Sequence, residues 1–436
     1  MTLGYKLRYR FGKKVTMVLC SLCAAVLANG HAFGQAAAMR AVSPISEGMA
    51  GAVTAAPVDA AGALYWNPGS ITGIEGDDMS LNFGSIWSVS TLGSTMHTPY
   101  GTFSGETESD GGAIPVPSMA LVKHVKDTPF TIGLGIAGIA GAKCNYGGSG
   151  SLVSSTGVPN FDANPILSDA GLGRLSAEVM VFQMAPTVAM KLNDHLSIGV
   201  APTVTMANIA ASPLFLAPAD QNGGWPDGSG SHYTWGAGFQ AGVFLQTDAC
   251  WDFGLSFKSQ QWMKDFHFYY VEDGQAVSYR YSLDYPMIVS LGTAYRGIEK
   301  WLFTADMRYF NWSGVDGFGD AGVNHGLNWD DNFSFSVSAT NQLTQRLALR
   351  CGYCYATPAI DDEATLYNIG SSLTMEHSAH VGMTVDMSDR WLVSASYTYV
   401  FADENCGPLN AANPAAGEVW TESAAHAAWM GVSKRF

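Results

Sequence analysis

The chain lacks a hydrophobic run long enough to cross a membrane as a helix. The longest apolar stretch, residues 15–28, falls short of the roughly 20 residues such a helix needs. Charge is also scarce: Asp, Glu, Lys and Arg make up 14% of the chain, against about 25% in an average soluble domain. Basic residues are the scarcest, 22 Lys and Arg facing 37 Asp and Glu for a net charge of -15, which argues against nucleic acid and anionic lipid patches as partners. Seven cysteines are present, and without Cys20 and Cys23 of the leader the remaining Cys144, Cys250, Cys351, Cys354 and Cys406 are an odd, scattered set. They form no disulfide framework. Cys351 and Cys354 resemble a CxxC pair, but a separation of three within a strand puts them on opposite faces, against redox or zinc chemistry. The histidines are scattered, and neither a glycine-rich phosphate cradle opening a helix nor a nucleophile elbow is found. No cofactor and no metal are expected.

What is present begins with a leader. Lys6, Arg8, Arg10, Lys13 and Lys14, with no acidic residue among them, precede the apolar run, and the small residues Ala32 and Gly34 follow. This order is that of a cleavable signal peptide over residues 1–34, read in preference to an uncleaved anchor because the run is short. The remainder shows no linker and no change of texture. It is rich in glycine and aromatics, with 49 Gly, 21 Phe, 18 Tyr and 12 Trp, yet its mean hydropathy is only +0.08. A wall in which apolar and polar side chains alternate has this balance.

From residue 78 onward the alternation is explicit. Leu196, Ile198, Val200, Pro202, Val204 and Met206 form one row, while Ser197, Gly199, Ala201, Thr203 and Thr205 form the other. A period of two is that of a strand with one face in lipid and the other in a lumen. Fourteen strands are expected, at 78–90, 114–126, 128–142, 174–192, 194–210, 232–247, 250–265, 286–297, 300–311, 332–341, 345–357, 379–387, 390–401 and 425–436. Tight polar turns, such as residues 126–129, 192–194 and 387–389, alternate strictly with long stretches at 91–113, 143–173, 211–231, 266–285, 312–331, 358–378 and 402–424. Short and long connections in alternation are the periplasmic turns and external loops of an outer-membrane barrel. An even count lets the sheet close with both ends in the periplasm and without a free edge in hydrocarbon.

The expected fold is therefore all-β: a transmembrane antiparallel β-barrel of 14 strands over residues 78–436, with an N-terminal hatch, residues 35–77, plugging the lumen. The long loops hold 22 of the 37 acidic residues and, among basic ones, only Lys143 and Arg280. Such a rim is read first as a solvated surface and second as a site where divalent cations bridge to surface glycolipid. Apolar clusters in these loops are unusual and mark binding: Tyr146, Leu152, Val153, Phe161, Ile166 and Leu167 in the second, Leu214, Phe215, Leu216 and Trp225 in the third. Their alternative role is to pack against one another as a lid.

Residues 35–77 do not alternate and end in GMAGAVTAAPVDAAGALYWNPGSITGI. This segment resembles the hatch of the FadL/TodX family of outer-membrane transporters for long-chain fatty acids and aromatic hydrocarbons. In that family a small-residue stretch, an acidic residue and an Asn-Pro-Ala turn follow one another; Asp59, Asn67, Pro68 and Gly69 fall at those places, glycine replacing alanine. Further echoes run in family order, among them GLSFKS at 254–259, YPMIVSLGTAYR at 285–296, WLFTADMRYFNWS at 301–313, LRCGYCYATPAIDDE at 349–363 and the closing WMGVSKRF at 429–436. The resemblance implies a monomer in the bacterial outer membrane, in contact with its lipid and glycolipid, that passively takes up fatty acids or similar hydrophobic compounds. It also implies capture by outer loops, movement of the hatch, and lateral exit through a gap in the third strand. That strand contains Gly133, Gly135, Gly138 and Gly141; glycines weaken a strand, and Gly135, Gly138 and Gly141 are assigned to the opening. Tight packing of wall against hatch would also explain them. Two other classes remain open: a barrel enzyme of the lipase or protease type, which needs Ser or Asp paired with His on adjoining strands, and an open porin for polar solutes. The plug argues against both.

Overall fold

The computed structural model describes residues 38–436 except 216, 219–224, 273–274, 320–325, 372, 374–375, 389 and 411. The expected signal peptide, residues 1–34, and the first residues of the hatch lie outside the described residues. No described helix is long and apolar enough to cross a membrane, so any crossing is made by strands.

In chain order the first strands are β1 (Asp78–Thr98), β2 (Gly101–Glu108), β3 (Ala113–His124), β4 (Phe130–Tyr146), β5 (Leu175–Lys191) and β6 (Leu196–Ser212). They are followed by β7 (Gly228–Gln246), β8 (Trp251–Lys258), β9 (Trp262–Met263), β10 (Phe266–Glu272), β11 (Gln275–Tyr281) and β12 (Met287–Ile298). The last are β13 (Trp301–Asn311), β14 (Asn332–Gln342), β15 (Leu347–Ala356), β16 (His377–Ser388), β17 (Trp391–Pro408) and β18 (Gly417–Arg435). Fourteen of them, β1, β3–β8 and β12–β18, pair with their neighbours in an antiparallel path. β18 closes on β1 from Asp78↔Arg435 to Met96↔Gly417. Closure gives each of these strands a neighbour on both sides, as a span without water requires.

The alternation read from the sequence is the division between lipid and lumen. On β6, Ser197, Ala201, Thr203 and Thr205 are buried inside, while Ile198, Val200 and Val204 stand exposed on the outer surface. Cys354 is buried and Cys351 exposed, on opposite faces as their spacing requires. Aromatic rings gather where the strands leave the periplasmic turns: Trp251 lies 4.7 Å from Tyr295 and Trp301 stacks on Phe303 at 5.5 Å. Rings with an apolar body and a polar edge suit that interface.

Three stretches expected to be loops contain strand. β2 pairs with the outer half of β1, β10 pairs with β11 as a separate hairpin, and β17 and β18 run on together to Pro408↔Glu418. These extensions rise above the hydrocarbon, where both faces meet water and the apolar row that reveals a strand is no longer needed; β2, GTFSGETE, shows no such row. Conversely, β8 stops at Lys258, well before the expected residue 265. There the chain turns inward and the buried Gln261 accepts from Thr203 Oγ1 at 2.6 Å.

Inside the barrel lie α1 (Pro44–Gly48), α2 (Ala60–Trp66) and a 3-10 turn, Pro68–Gly73. Ser43 caps α1 and Asp59 caps α2, their side chains accepting from Ser46 N and Gly62 N. The residues are small because the space is crowded, and nearly all of them are buried. Bonds to the wall run round the circumference: Thr72 Oγ1 donates to Ser197 Oγ of β6 at 2.8 Å, Gln240 Nε2 of β7 to Leu64 O at 2.8 Å, and Thr54 N to Asp306 Oδ2 of β13 at 2.9 Å.

Candidate functional site

Above the hatch, a cavity of about 120 Å³ lies between the outer halves of β4, β5 and β6 and the loops over the mouth. Small side chains on the strands, Ala140, Ala142, Ala207 and Ala211, make the room. Loop residues Phe215, Tyr281, Tyr285, Phe318, Trp329 and Tyr367 supply an aromatic surround. Trp312, Phe318 and Trp329 pack on one another in tilted and edge-on pairs with centroids 4.6–4.8 Å apart. Their polar ends are satisfied: Trp329 Nε1 donates to Asn368 Oδ1 at 2.6 Å and Trp312 Nε1 to Asn332 Oδ1 at 3.1 Å, as buried indoles require. Asn368 ends α3 (Thr365–Asn368), a single turn in the loop before β16.

The charged groups on this lining are both acidic, Glu178 and Asp284. Glu178 is paired with Lys143 at 3.3 Å. Asp284 accepts from Gln260 Nε2 at 2.6 Å and from Met263 N at 2.7 Å, and burial holds its carboxyl above the usual range. Among the described residues, no lysine or arginine lines the cavity.

The cavity abuts a defect in the wall. β3 and β4 pair from His124↔Thr131 to Ser118↔Ala137 and then their backbones part; bridging resumes at Ser109↔Tyr146. On its other side β4 carries a bulge, the register against β5 shifting between Gly138 and Ala140. The hatch chain caps part of the edge left bare: Met39 N donates to Ile139 O at 2.8 Å and Ala38 bridges Ala140. Tyr285 from the cavity donates to the same Ile139 carbonyl at 3.4 Å. A smaller space of about 20 Å³ lies against Leu64, Ser118, Ile136 and Ile139, so the two cavities flank the bulge.

Two sets of contacts hold the hatch below. Trp66 is sandwiched between Arg308, 3.7 Å from its ring, and Lys258 at 4.6 Å, which also stands 3.5 Å over Tyr65. Arg308 is paired with Asp306 at 2.7 Å and donates to Gly51 O. On the other side Glu47 accepts from Thr398 Oγ1 at 2.7 Å and lies 3.3 Å from His380 Nδ1, whose Nε2 meets Ser378 Oγ at 2.8 Å. Burial alone would raise the Glu47 carboxyl, but the bonds from His380 and Thr398 bring it below the usual range. Ser378, His380 and Glu47 stand in a row, but Ser378 and His380 share β16 instead of lying on the adjoining strands that the enzyme alternative needs. All three are buried, and the contact joins α1 to β16 and β17.

Of the residues singled out in the sequence, Leu214 and Phe215 line the cavity. Leu216 lies outside the described residues. Tyr146, Ile166 and Leu167 are buried together with Leu92, Cys144 and Val419 as a lid cluster, and Phe161 packs on Phe103 with centroids 5.1 Å apart. Neither these nor the half-exposed Trp225 is among the lining residues. Gly133 and Gly135 face Leu64 of the hatch, Gly138 sits at the bulge, and Gly141, paired with Met180 of β5, lies in the stretch of β4 that has no β3 partner. Asn67 donates to Thr54 O at 2.8 Å and Val243 O at 3.0 Å while accepting from Gly69 N at 3.0 Å. A Cβ on Gly69 would come within 2.6 Å of Gly242 O, so the alanine usual in the family does not fit here. Lys258, Arg308, His380, Tyr285 and Trp329 had not been singled out. The signal available for Lys258 and Arg308 was a cation on the lumen row of an alternating strand.

The family model described as "Outer membrane protein transport protein (OMPP1/FadL/TodX)" matches residues 22–436. No curated protein matches the chain in sequence. Among solved structures, a Pseudomonas aeruginosa FadL homologue superposes with a TM-score of 0.69 at 13% identity, covering 92% of this chain and 100% of that one. The P. putida toluene transporter TodX gives 0.65 at 14% identity over 91% and 99%. The Ralstonia pickettii toluene transporter TbuX gives 0.60 at 15% identity over 91% and 99%. With a match over nearly the whole chain, a closed fourteen-strand barrel and a plugged lumen, the protein belongs to the FadL/TodX family of outer-membrane transporters of hydrophobic compounds.

Proposed function

We propose that this barrel passively takes up small neutral hydrophobic molecules of about one aromatic ring, holding them in the cavity beside Phe215, Tyr285 and Trp329. The observation that carries the reading is the chemistry of that lining: aromatic and apolar, with Glu178 and Asp284 as its charged residues. A volume of about 120 Å³ is close to the roughly 150 Å³ of an engineered apolar cavity that binds benzene. A fatty acid would bring its carboxylate past acidic outer loops to a lining that, among the described residues, carries two carboxylates and no cation, the adjacent Lys143 being already paired with Glu178, at a Coulombic disadvantage. Two of the solved relatives, TodX and TbuX, are toluene transporters, which agrees with this choice. Long-chain fatty acids are the second reading, favoured by the FadL homologue among the structural relatives.

Exit follows the wall defect. A ligand leaving the cavity passes Ala140 and the bulge, the hatch chain at Ala38 and Met39 gives way, and the gap between β3 and β4 opens into the outer membrane. The assignment of Gly138 and Gly141 to this opening rests on the interrupted pairing. Gly133 and Gly135 lie in the stretch of β4 still paired with β3 and face Leu64, so their part is hatch packing and not the opening.

The test is binding to the detergent-solubilised protein, read by tryptophan fluorescence with toluene and palmitate at neutral pH. Toluene is expected to saturate the signal and palmitate to bind at least tenfold more weakly, a difference of about 1.4 kcal/mol. Phe215→Asp should weaken toluene binding by a similar factor. Tighter binding of palmitate would replace this reading with the fatty-acid one.

A further inference from the structure

The periplasmic mouth carries a concavity of about 230 Å³ whose chemistry is the reverse of the cavity above the hatch. It forms where β15, β16, β17 and β18 meet the periplasmic turns, and Arg346, Arg390 and Arg435 line it with Gln345, Ser388 and a single carboxylate, Asp386. The frame is rigid. Asp386 N donates to Arg346 O and Arg435 N to Arg390 O, each at 2.8 Å, so three strand ends hold the arginines in place.

These cations are poorly compensated. Arg346 and Arg390 make no ion pair among the described residues, and the nearest carboxylate partner of Arg435 is the exposed Glu75 at 3.9 Å. In a chain of net charge -15, three arginines converging on one polar space repel one another unless an anion joins them. The guanidinium fork matches the oxygens of phosphate in paired hydrogen bonds, which a lysine ammonium cannot reproduce. Next to the concavity, on the outward face, Lys434 lies 5.2 Å from the ring of Trp391 and 4.7 Å from that of Phe436, placing the rim at the level of lipid head groups.

We propose that this vestibule is a binding site for a phosphate-type oxyanion, presented from the periplasmic side as free phosphate or as the head group of an anionic phospholipid at the inner rim. The site is independent of the hydrophobic cavity and of its ligand.

The full chain, purified in detergent and in chloride buffer, is titrated calorimetrically with inorganic phosphate and examined by native mass spectrometry with phosphatidylglycerol and phosphatidylcholine. Saturable binding of phosphate, or retention of phosphatidylglycerol over phosphatidylcholine, supports the site, and which of the two occurs identifies the source. The double variant Arg346→Gln, Arg390→Gln should lose tenfold or more in affinity. A control pair on the same rim, Lys126→Gln with Lys300→Gln, should keep it. Both arginines are exposed, and the heat-dependent gel shift of the folded barrel checks that the variant is intact. Absence of saturable binding by either probe, or an equal loss in the control, overturns the proposal.

Discussion

Asn67 ties three pieces of chain together with one amide. Its Nδ2 donates to a hatch carbonyl and to a wall carbonyl, and its Oδ1 starts the turn at Gly69. Each bond is worth about 1 kcal/mol net, and each buried group left unmet costs about 1–3 kcal/mol. Asn67→Ala is therefore expected to loosen the hatch while the barrel stays closed. Liposome conductance to small ions should rise, with little change in the unfolding midpoint of the whole protein; unchanged conductance would show that the turn does not hold the plug. The family turn at this residue was legible in the sequence. Its partner Val243 was not, because contacts across a lumen leave no mark in sequence spacing. The same holds for Lys258 and Arg308: each looks like a polar residue on an inward row until Trp66 is seen between them.

At the scale of elements, the loop before β16 carries a titratable contact of its own. Glu376 is buried beside Asp403 and 3.8 Å from His377. Burial, with a hydrogen bond and repulsion from Asp403, pushes its carboxyl up to about 9 from 4.5. A folded pKa above the unfolded one means that the contact is fully stable below about pH 4.5 and weakens as the pH rises toward 9. Hydrogen exchange at the outer ends of β16 and β17 should accelerate over that interval, and Glu376→Gln should flatten the dependence. An identical slope in the variant would refute the assignment. Element boundaries within the membrane were readable to within a few residues, since lipid on one side and hatch on the other enforce a period of two. Outside the hydrocarbon that constraint ends, which is why β2 and the β10–β11 hairpin were read as loop.

Over the whole molecule, the cavity, the bulge of β4 and the edge capped by Ala38 and Met39 adjoin one another at Ile139 and Ala140, along the proposed exit. A covalent tie across the gap tests that line. In a background with the native cysteines replaced by serine, Val116→Cys with Gly138→Cys places two thiols where Val116 already meets the site of a Gly138 Cβ at 3.0 Å. Oxidation is expected to stop toluene uptake into liposomes while leaving binding in place, and reduction to restore it. Uptake that continues through the oxidised form would move the exit elsewhere. Charge is also distributed on this scale: the outer loops are acidic, whereas three arginines line one concavity at the periplasmic mouth.

The barrel, its strand count, its orientation and the presence of a plug were determined by the sequence alone, because a bilayer imposes a strict binary pattern and a requirement for closure that any spanning sheet must display. The cavity lining, the lock around Trp66, the break between β3 and β4 and the arginine vestibule were decided by tertiary structure. Each is assembled from residues tens to hundreds of positions apart, whose meeting depends on how the cylinder closes and where the hatch comes to rest within it.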